Sequence, residues 1–239
     1  MNLMRLTPMI AITLILAAST ASADLFQCDN KSPRRLTANA SGATRVVVIA
    51  KSGSLRVNGR PAADVAVNAT ACASDKEFLS EMKVVARRDG TDLVVEALIP
   101  ERLAIFGWSD ARLDMEVGVP SNLPIVVRDG SGEATIENVA SVEVVDGSGE
   151  LDIRGVRGDV EVTDGSGEVS IRDVGGNVTI RDGSGSIEIE HVGGAILVRG
   201  DGSGSIHVAD VKGDFTVDRD GSGGVDYERV SGRVRIPRH

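Results

Sequence analysis

The chain has 239 residues, of which 35 are acidic and 26 basic, giving a formal net charge of −9. A surface this acidic repels the phosphate backbone of nucleic acids, so nucleic acid is excluded as a ligand class. It also gives no help to adsorption on anionic lipid, and no basic run occurs before the arginine-rich C-terminus.

Residues 1–23 have the features of a secretory signal peptide. Arg5 is the only charged residue in them, residues 9–18 are largely apolar, and Ala21-Ser22-Ala23 fits the small-residue cleavage rule. The apolar stretch is too short to cross a bilayer, so no membrane span is predicted. Cleavage near Ala23 would leave an exported chain, periplasmic or secreted to the cell surface, that begins at Asp24.

The exported part contains two cysteines, Cys28 and Cys72. An even pair in an oxidising compartment predicts one disulfide. Closing this loop of roughly 45 residues would contribute about 4 kcal/mol by the chain-entropy estimate. A metal site would need more ligands nearby, and a redox pair usually has Cys-x-x-Cys spacing, so both alternatives are less favoured.

Residues 24–118 are rich in strand patterns and form the predicted N-terminal part. Strands are predicted at 45–50, 54–57, 64–69, 83–88, 93–97 and 113–119, and a further one at 125–127. Ser74-Asp75-Lys76-Glu77 is typical of a helix start, which predicts one short helix near 75–82. This part is interpreted as an irregular start of the stack described next, with a separate capping domain as the alternative. Phe106 and Trp108 are interpreted as core or cap residues, with a binding platform as the alternative.

Residues 119–239 contain a repeat. The tetrapeptide Asp-Gly-Ser-Gly occurs six times, in steps of 17, 18, 18, 19 and 19 residues. A constant period of this length indicates repeated structural units that stack on their neighbours. The repeats begin at Asp129, Asp146, Asp164, Asp182, Asp201 and Asp220.

Each period contains two short runs of alternating apolar and polar residues, the pattern of half-buried strands. Aligned periods place β-branched or aliphatic residues in columns, for example Val142, Val160, Val178 and Ile196. The predicted fold is therefore all-β: a single-stranded parallel β-solenoid, or β-helix, with two-strand coils of about 18 residues. Six coils at about 4.8 Å would form a rod of roughly 29 Å. A β-sandwich of hairpins is the competing interpretation.

The six repeat aspartates form what we call the aspartate column, and the polar residues between the apolar columns are expected to face solvent. Stacked carboxylates about 5 Å apart repel one another, so something must offset the repulsion. In the structural interpretation each carboxylate accepts hydrogen bonds from its own Gly-Ser-Gly turn, and Arg128, Arg181 and Arg219 help to neutralise the column. In the functional interpretation the column binds a row of cations, most plausibly calcium.

Other chemistry finds little support. Calcium-binding β-rolls place an aspartate in the slot that is apolar here, as at Val169 and Ile187. Polysaccharide lyases on solenoids have longer coils with loops that build a cleft, and His191 and His207 occupy unrelated positions. Glu133, Glu150 and Glu168 read as a solvated face. No catalytic residue, cofactor or metal ligand is predicted.

The last coil contains Arg229, Arg233, Arg235 and Arg238 together with Pro237. Charged residues and proline protect exposed strand edges from pairing with another chain. We interpret them as such edge protection, and a basic interaction patch is the alternative.

The signal peptide, Ser52-Gly53-Ser54-Leu55-Arg56-Val57, the two cysteines and the serial Asp-Gly-Ser-Gly turns resemble a bacterial family of exported "putative adhesin" domains of unknown function. The resemblance covers residues 24–239 and implies a β-solenoid at the cell envelope without known catalysis. We therefore expect a noncatalytic, adhesin-like binding or scaffolding surface for an envelope, surface or polysaccharide ligand. A calcium-dependent β-roll and then a carbohydrate-active enzyme are the alternatives. Ligand identity, coil handedness and oligomeric state do not follow from the sequence.

Overall fold

A computed structural model of the chain describes residues 30–100 and 111–237. The predicted signal peptide, Cys28, Phe106, Trp108 and Arg238 lie outside the described residues. Within them the chain forms one short helix and twenty strands, which build two ten-stranded sheets.

Two sheets face each other along the whole described chain. Sheet A contains, in spatial order, β1 (Asn30–Asn39), β4 (Asp64–Ala73), β7 (Ala111–Pro120), β3 (Leu55–Arg60), β9 (Ala134–Glu137), β11 (Leu151–Val156), β13 (Val169–Val174), β15 (Ile187–Val192), β17 (Ile206–Val211) and β19 (Val225–Val230). Sheet B contains β5 (Lys83–Asp89), β6 (Asp92–Leu98), β2 (Arg45–Ile49), β8 (Ile125–Arg128), β10 (Val142–Asp146), β12 (Val160–Asp164), β14 (Val178–Asp182), β16 (Ile196–Gly200), β18 (Phe215–Val217) and β20 (Val234–Arg235).

The predicted β-solenoid is confirmed. From β8 onwards, which we call the stem, every strand pairs in parallel with its equivalent one coil along, so Val142 lies beside Val160 and Val160 beside Val178. The same holds in sheet A, where Leu151 lies between Ala134 and Val169. Hairpins would have given antiparallel neighbours, so the β-sandwich alternative is wrong for this part of the chain.

The interior of the stem consists of stacked aliphatic side chains, as the columns predict. Ile153, Ile171 and Ile189 are fully buried. At each corner after these strands, one residue with left-handed backbone shifts the alternation by one position; Asp173, for example, has φ 58°. The shift allows the next residue, Val174, to point inward, and it is 2% exposed. Val174 and its equivalents Val156 and Val192 thus also form part of the core.

The N-terminal end of the stack is irregular, and we call it the cap. It comprises β1, β4, β5 and the helix α1 (Lys76–Glu81), and its strands pair antiparallel with their neighbours. The predicted helix is present, but its N-cap is Asp75 and not Ser74 of the motif: the Asp75 side chain accepts a hydrogen bond from the Glu77 amide at 2.6 Å. The helix buries Phe78 against the core, and the Arg34 side chain donates to the Leu79 and Met82 carbonyl oxygens at 2.7 and 2.8 Å.

The order of the first coils in space differs from their order in the chain. The coil of β2 and β3 lies between the coil of β6 and β7 and the first stem coil, so the chain passes over it before β8 begins. The strand β1 was not predicted from the sequence. It alternates between half-buried and exposed residues with few large apolar side chains, which explains why the pattern is weak.

Candidate functional site

The aspartate column lies inside the solenoid, which corrects the expectation that it faces solvent. In β10 the side chains of Val142, Val144 and Asp146 occupy alternate positions, so all three point to the same, inner side. Asp146 is 3% exposed, and Asp164 and Asp182 are 4% exposed. The signal for this was present in the sequence, because the first four aspartates of the column each follow an inward valine or isoleucine by two residues, whereas Asp201 and Asp220 follow theirs by three.

The column is continuous from coil to coil. Asp146 lies beside Asp164, and Asp164 beside Asp182, in the parallel ladder of sheet B, and Asp201 bridges to Asp220. In the preceding coil the equivalent inward position belongs to Ala50, which is also buried. The column therefore begins at Asp129 and occupies one inner corner of the stem.

The expected hydrogen bonds from the turns are present in part, and only one of them has ideal geometry. Asp129 accepts one from its own Gly130 amide at 2.8 Å. Both carboxyl oxygens of Asp146, Asp164, Asp182 and Asp201 are buried without a hydrogen bond of normal geometry among the described residues. Amides of their own turns nevertheless act on these four carboxyl groups and oppose the rise in pKa that burial causes, as those of Gly147 and Ser148 do for Asp146, so the structural interpretation made from the sequence holds in part.

Burial dominates the ionisation of the column. It raises the pKa of Asp129 to about 6, and the negative charge of Asp146 adds to the rise while the Gly130 amide opposes it. Burial together with the neighbouring Asp164 and Asp201 raises the pKa of Asp182 to about 7. The pKa values of the other buried members, Asp146, Asp164 and Asp201, are raised for the same first reason. These carboxyl groups thus hold protons far more tightly than exposed aspartates do.

The arginines that precede the repeats do not neutralise the column. Arg128, Arg181 and Arg219 are exposed, and within the described part of the chain they form no ion pair. Arg181 and Arg219 line a surface cavity of about 490 Å³ together with Asp182, Asp201 and Asp220. This cavity lies at a β-bulge. Ile180 pairs with Val198 but Arg181 pairs with Gly200, so β16 contains one extra residue relative to β14.

The geometry of the aspartate column does not favour the interpretation that it binds cations. In residues 30–100 and 111–237, no group of three or more His, Cys, Asp or Glu side chains is arranged to hold a metal ion. Along the column each carboxyl group has carboxyl neighbours only above and below it. Nearby backbone amides such as those of Gly147 and Ser148 also point toward Asp146, and amides repel cations.

A second candidate site, not predicted from the sequence, lies on the outer face of sheet A near the cap. Five residues occupy directly adjacent positions on five neighbouring strands, and we call them the outer row: Arg35, Asn68, Glu116, Arg56 and Thr135. At strand spacing the row is roughly 19 Å long. Two adjoining cavities of about 460 and 420 Å³ lie on it, and both are lined by Arg56, Asn68 and Glu116. The row thus forms the floor of a shallow groove.

The outer row has unused hydrogen-bonding capacity. Arg35, Arg56 and Glu116 are exposed, and among the described residues none of their side chains forms an ion pair or hydrogen bond. Spacing in the sequence could not reveal this row, because its members come from β1, β4, β7, β3 and β9. Only the interleaved order of the first coils brings them together.

The same outer face farther along the stem is different. Arg154 pairs with Glu137 at 2.9 Å and with Asp152 at 2.7 Å. Arg172 approaches Glu188 at 3.6 Å and Glu190 at 4.0 Å. Charged side chains of the stem therefore satisfy one another across coils, whereas those of the outer row do not.

His191 and two arginines of the last coil lie beside acidic side chains of neighbouring coils. His191 lies 3.7 Å from Asp173 and 3.6 Å from Asp210, on the surface. In the last coil Arg229 pairs with Asp210 at 2.6 Å and Arg233 with Asp214 at 2.9 Å, so both arginines bind back to the preceding coil.

The cysteine prediction stays a prediction, because Cys28 lies outside the described residues. Cys72 is 4% exposed and lies opposite Lys31 in the β1–β4 pair. The strand β1 thus runs beside the strand that carries Cys72, and its first residue, Asn30, pairs with Ala73.

The fold places this chain in the class of β-solenoids, and its polar outer face contains a shallow groove near the cap. No helix in the described ranges is long and apolar enough to cross a lipid bilayer. No protein-family model matches the chain. No curated protein matches it either.

Solved structures with a similar fold are known from bacteria. The chain is similar to a "putative cell adhesion protein" from Clostridium sporogenes, with 10% identity and a TM-score of 0.37 over 87% of this chain and 99% of the other. It is similar to a "putative adhesin" from Bacteroides fragilis, with 11% identity and a TM-score of 0.39 over 87% and 98%. A "putative adhesin" from Parabacteroides merdae has 11% identity and a TM-score of 0.38 over 88% and 97%.

Proposed function

We propose that this protein is a noncatalytic, exported binding module of the bacterial cell envelope. Its binding surface is the groove floored by the outer row, and its ligand is a polar, hydroxyl-rich chain such as an envelope or surface polysaccharide. The stem acts as a rigid scaffold behind this surface.

One observation carries the proposal: within residues 30–100 and 111–237 the polar side chains of the outer row are unpaired, whereas equivalent side chains of the stem pair with each other. An exposed side chain that no neighbouring group engages has its donors or acceptors available to a ligand, and the rigid strand beneath it fixes where they are presented. Arg56 offers guanidinium donors, Glu116 offers carboxylate acceptors and Asn68 offers both, which together match the hydroxyl groups of sugars. The groove is open rather than enclosed, which suits a chain and not a small molecule.

The noncatalytic part of the proposal is supported by the shape of the same surface. The members of the outer row lie on consecutive strands of one sheet, and the groove above them is shallow and open. Catalysis on solenoids requires a unique constellation, and the rest of the outer face repeats from coil to coil.

The test is binding of the purified mature protein to alginate and to dextran, an acidic and a neutral polysaccharide, measured by isothermal titration calorimetry. Replacing Arg56 by alanine should weaken binding by at least about tenfold, because a hydrogen bond to a charged group contributes roughly 1.5–3 kcal/mol. The matched control is Arg172→Ala, which removes the same side chain from the same face of the stem and should leave the affinity unchanged.

Equal affinities of the Arg56→Ala variant and the wild type would refute the assignment of the groove. Binding that requires added calcium would favour the calcium-dependent alternative. Release of shortened or unsaturated sugars during incubation with alginate would favour the carbohydrate-active enzyme.

A further inference from the structure

The aspartate column contains more buried carboxyl groups than its surroundings can satisfy as carboxylates. The side chains of Asp146 and Asp164, of Asp164 and Asp182, and of Asp182 and Asp201 are within hydrogen-bonding range of each other. A carboxylate is only an acceptor, so two of them cannot form a hydrogen bond. As carboxylates, the four groups therefore bring buried oxygens together without a donor between neighbouring side chains.

Protons resolve the conflict. A protonated carboxyl group has one O–H donor and further acceptor capacity, so it can donate to the next carboxyl group along the column. Two adjacent carboxyl groups that share one proton also avoid the repulsion of two like charges at one strand spacing in a medium of low dielectric constant. The short hydrogen bond between an acid and a carboxylate is among the stronger ones in proteins.

Among the described residues, no positively charged side chain acts on the buried members of the aspartate column. The groups acting on Asp146, Asp164, Asp182 and Asp201 are the neighbouring aspartates and the backbone of their own turns. Asp129 faces the Gly130 amide and Asp146.

From the other elements packed near the column, the nearest cationic side chains are Arg181 and Arg219, which line the cavity beside its last three members. They form no ion pair among the described residues. Opposite the column, sheet A contributes aliphatic side chains such as Ile171 to the interior, and its Tyr227 packs against Phe215 in the last coil. Protons are therefore the charge-compensating species that the geometry admits.

We propose that the aspartate column is a chain of carboxyl groups that share protons across successive coils and thereby make the stem sensitive to pH. Below neutral pH the shared protons join the coils along their inner corner. As pH rises the protons leave, the remaining carboxylates repel one another, and the stem becomes less stable.

The sign follows from proton linkage. The folded column retains protons at pH values where the unfolded chain has released them, so the folded state binds more protons between these limits. Stability is therefore greatest in acid and falls as pH rises through the range in which the folded column titrates. Proteins that unfold in acid show the opposite dependence, because their free energy of unfolding falls as pH decreases.

The first experiment is a carbon-13 NMR titration of the aspartate side-chain carboxyl groups in the full exported chain between pH 3 and pH 9. We expect a set of carboxyl resonances, absent from the Asp164→Asn variant or shifted in it, that titrate well above the exposed aspartates. If every aspartate carboxyl group titrates near its ordinary value, the proposal is refuted.

The second experiment separates protons from metal ions. The thermal midpoint is measured at pH 5 and pH 8, with calcium and with chelator, for the wild type and for Glu161→Gln, which removes an exposed carboxylate from the strand that ends at Asp164. We expect both proteins to lose several degrees at pH 8, irrespective of calcium. A wild-type midpoint that rises with pH, or one that calcium restores at pH 8, would overturn the proposal.

Discussion

Replacing Asp182 by asparagine should stabilise the protein in mild alkali and leave it nearly unchanged in acid. Asparagine has almost the shape of a protonated aspartic acid, and it cannot ionise. Burial raises the pKa of Asp182 from 3.8 to about 7. One tenfold change in proton affinity corresponds to about 1.4 kcal/mol, so ionising this group in the folded protein costs roughly 4 kcal/mol more than in the unfolded chain.

The pH dependence follows from the same two values. Below about pH 4 both states of the wild type hold the proton, and the folded state is not penalised. Between pH 4 and about 7 the unfolded chain releases its proton while the folded protein keeps it, so the free energy of unfolding falls with rising pH. At pH 8 the penalty is complete, and the variant should be more stable than the wild type by up to about 4 kcal/mol.

The assay is urea denaturation of both proteins at pH 4, 6 and 8, followed by circular dichroism. Glu161→Gln is the control, since it removes an exposed carboxylate on the neighbouring strand β12. If the variant and the wild type lose stability in parallel as pH rises, or if the variant is the less stable one at pH 8, burial of this carboxyl group does not govern its ionisation.

Three further outcomes are expected. Gly185→Ala should destabilise the protein by more than about 2 kcal/mol, because φ at this position is 146° and an added Cβ would collide with the backbone oxygen of Gly167; Gly224→Ala, which has open space around it, should cost less than about 1 kcal/mol in the same urea titration. Adding chelator should leave the thermal midpoint unchanged, and a fall of many degrees would instead reveal a bound metal ion. Phe78→Ala should cost about 3–5 kcal/mol, because Phe78 is 7% exposed and joins the cap to the core; a loss below 1 kcal/mol would show that the cap does not contribute to stability.

The regular stem could be predicted from the sequence because each coil repeats the same local pattern. Leu151, Val169 and Ile187 follow equivalent turns at equal spacing, and parallel stacking is the simplest way to bury all of them. The helix was also predictable, because its N-cap is encoded in four consecutive residues. Both are cases in which local chemistry and the global fold agree.

The cap and the outer row could not be predicted, because they depend on the order in which coils stack. Nothing in the strand at 55–60 indicates that it lies between β7 and β9 and not at the end of the stack. Arg56 and Glu116 meet only as a consequence of that order. The inward direction of the aspartate column, by contrast, was encoded in the alternation after Val144 and Val162 and was missed, because charged residues are rarely buried in rows.

The stacking of coils along one axis also has a mechanical consequence. Each coil adds only about 4.8 Å to the folded stem, whereas its 18 or so residues span roughly 60 Å when drawn out. When the two ends are pulled apart, the hydrogen bonds of one coil boundary at a time resist the force. The stem would therefore lengthen in steps as successive coils unfold. A stem that extends in steps would absorb the displacement of its two ends, whereas an inextensible one would transmit the full force to whatever it is bound to.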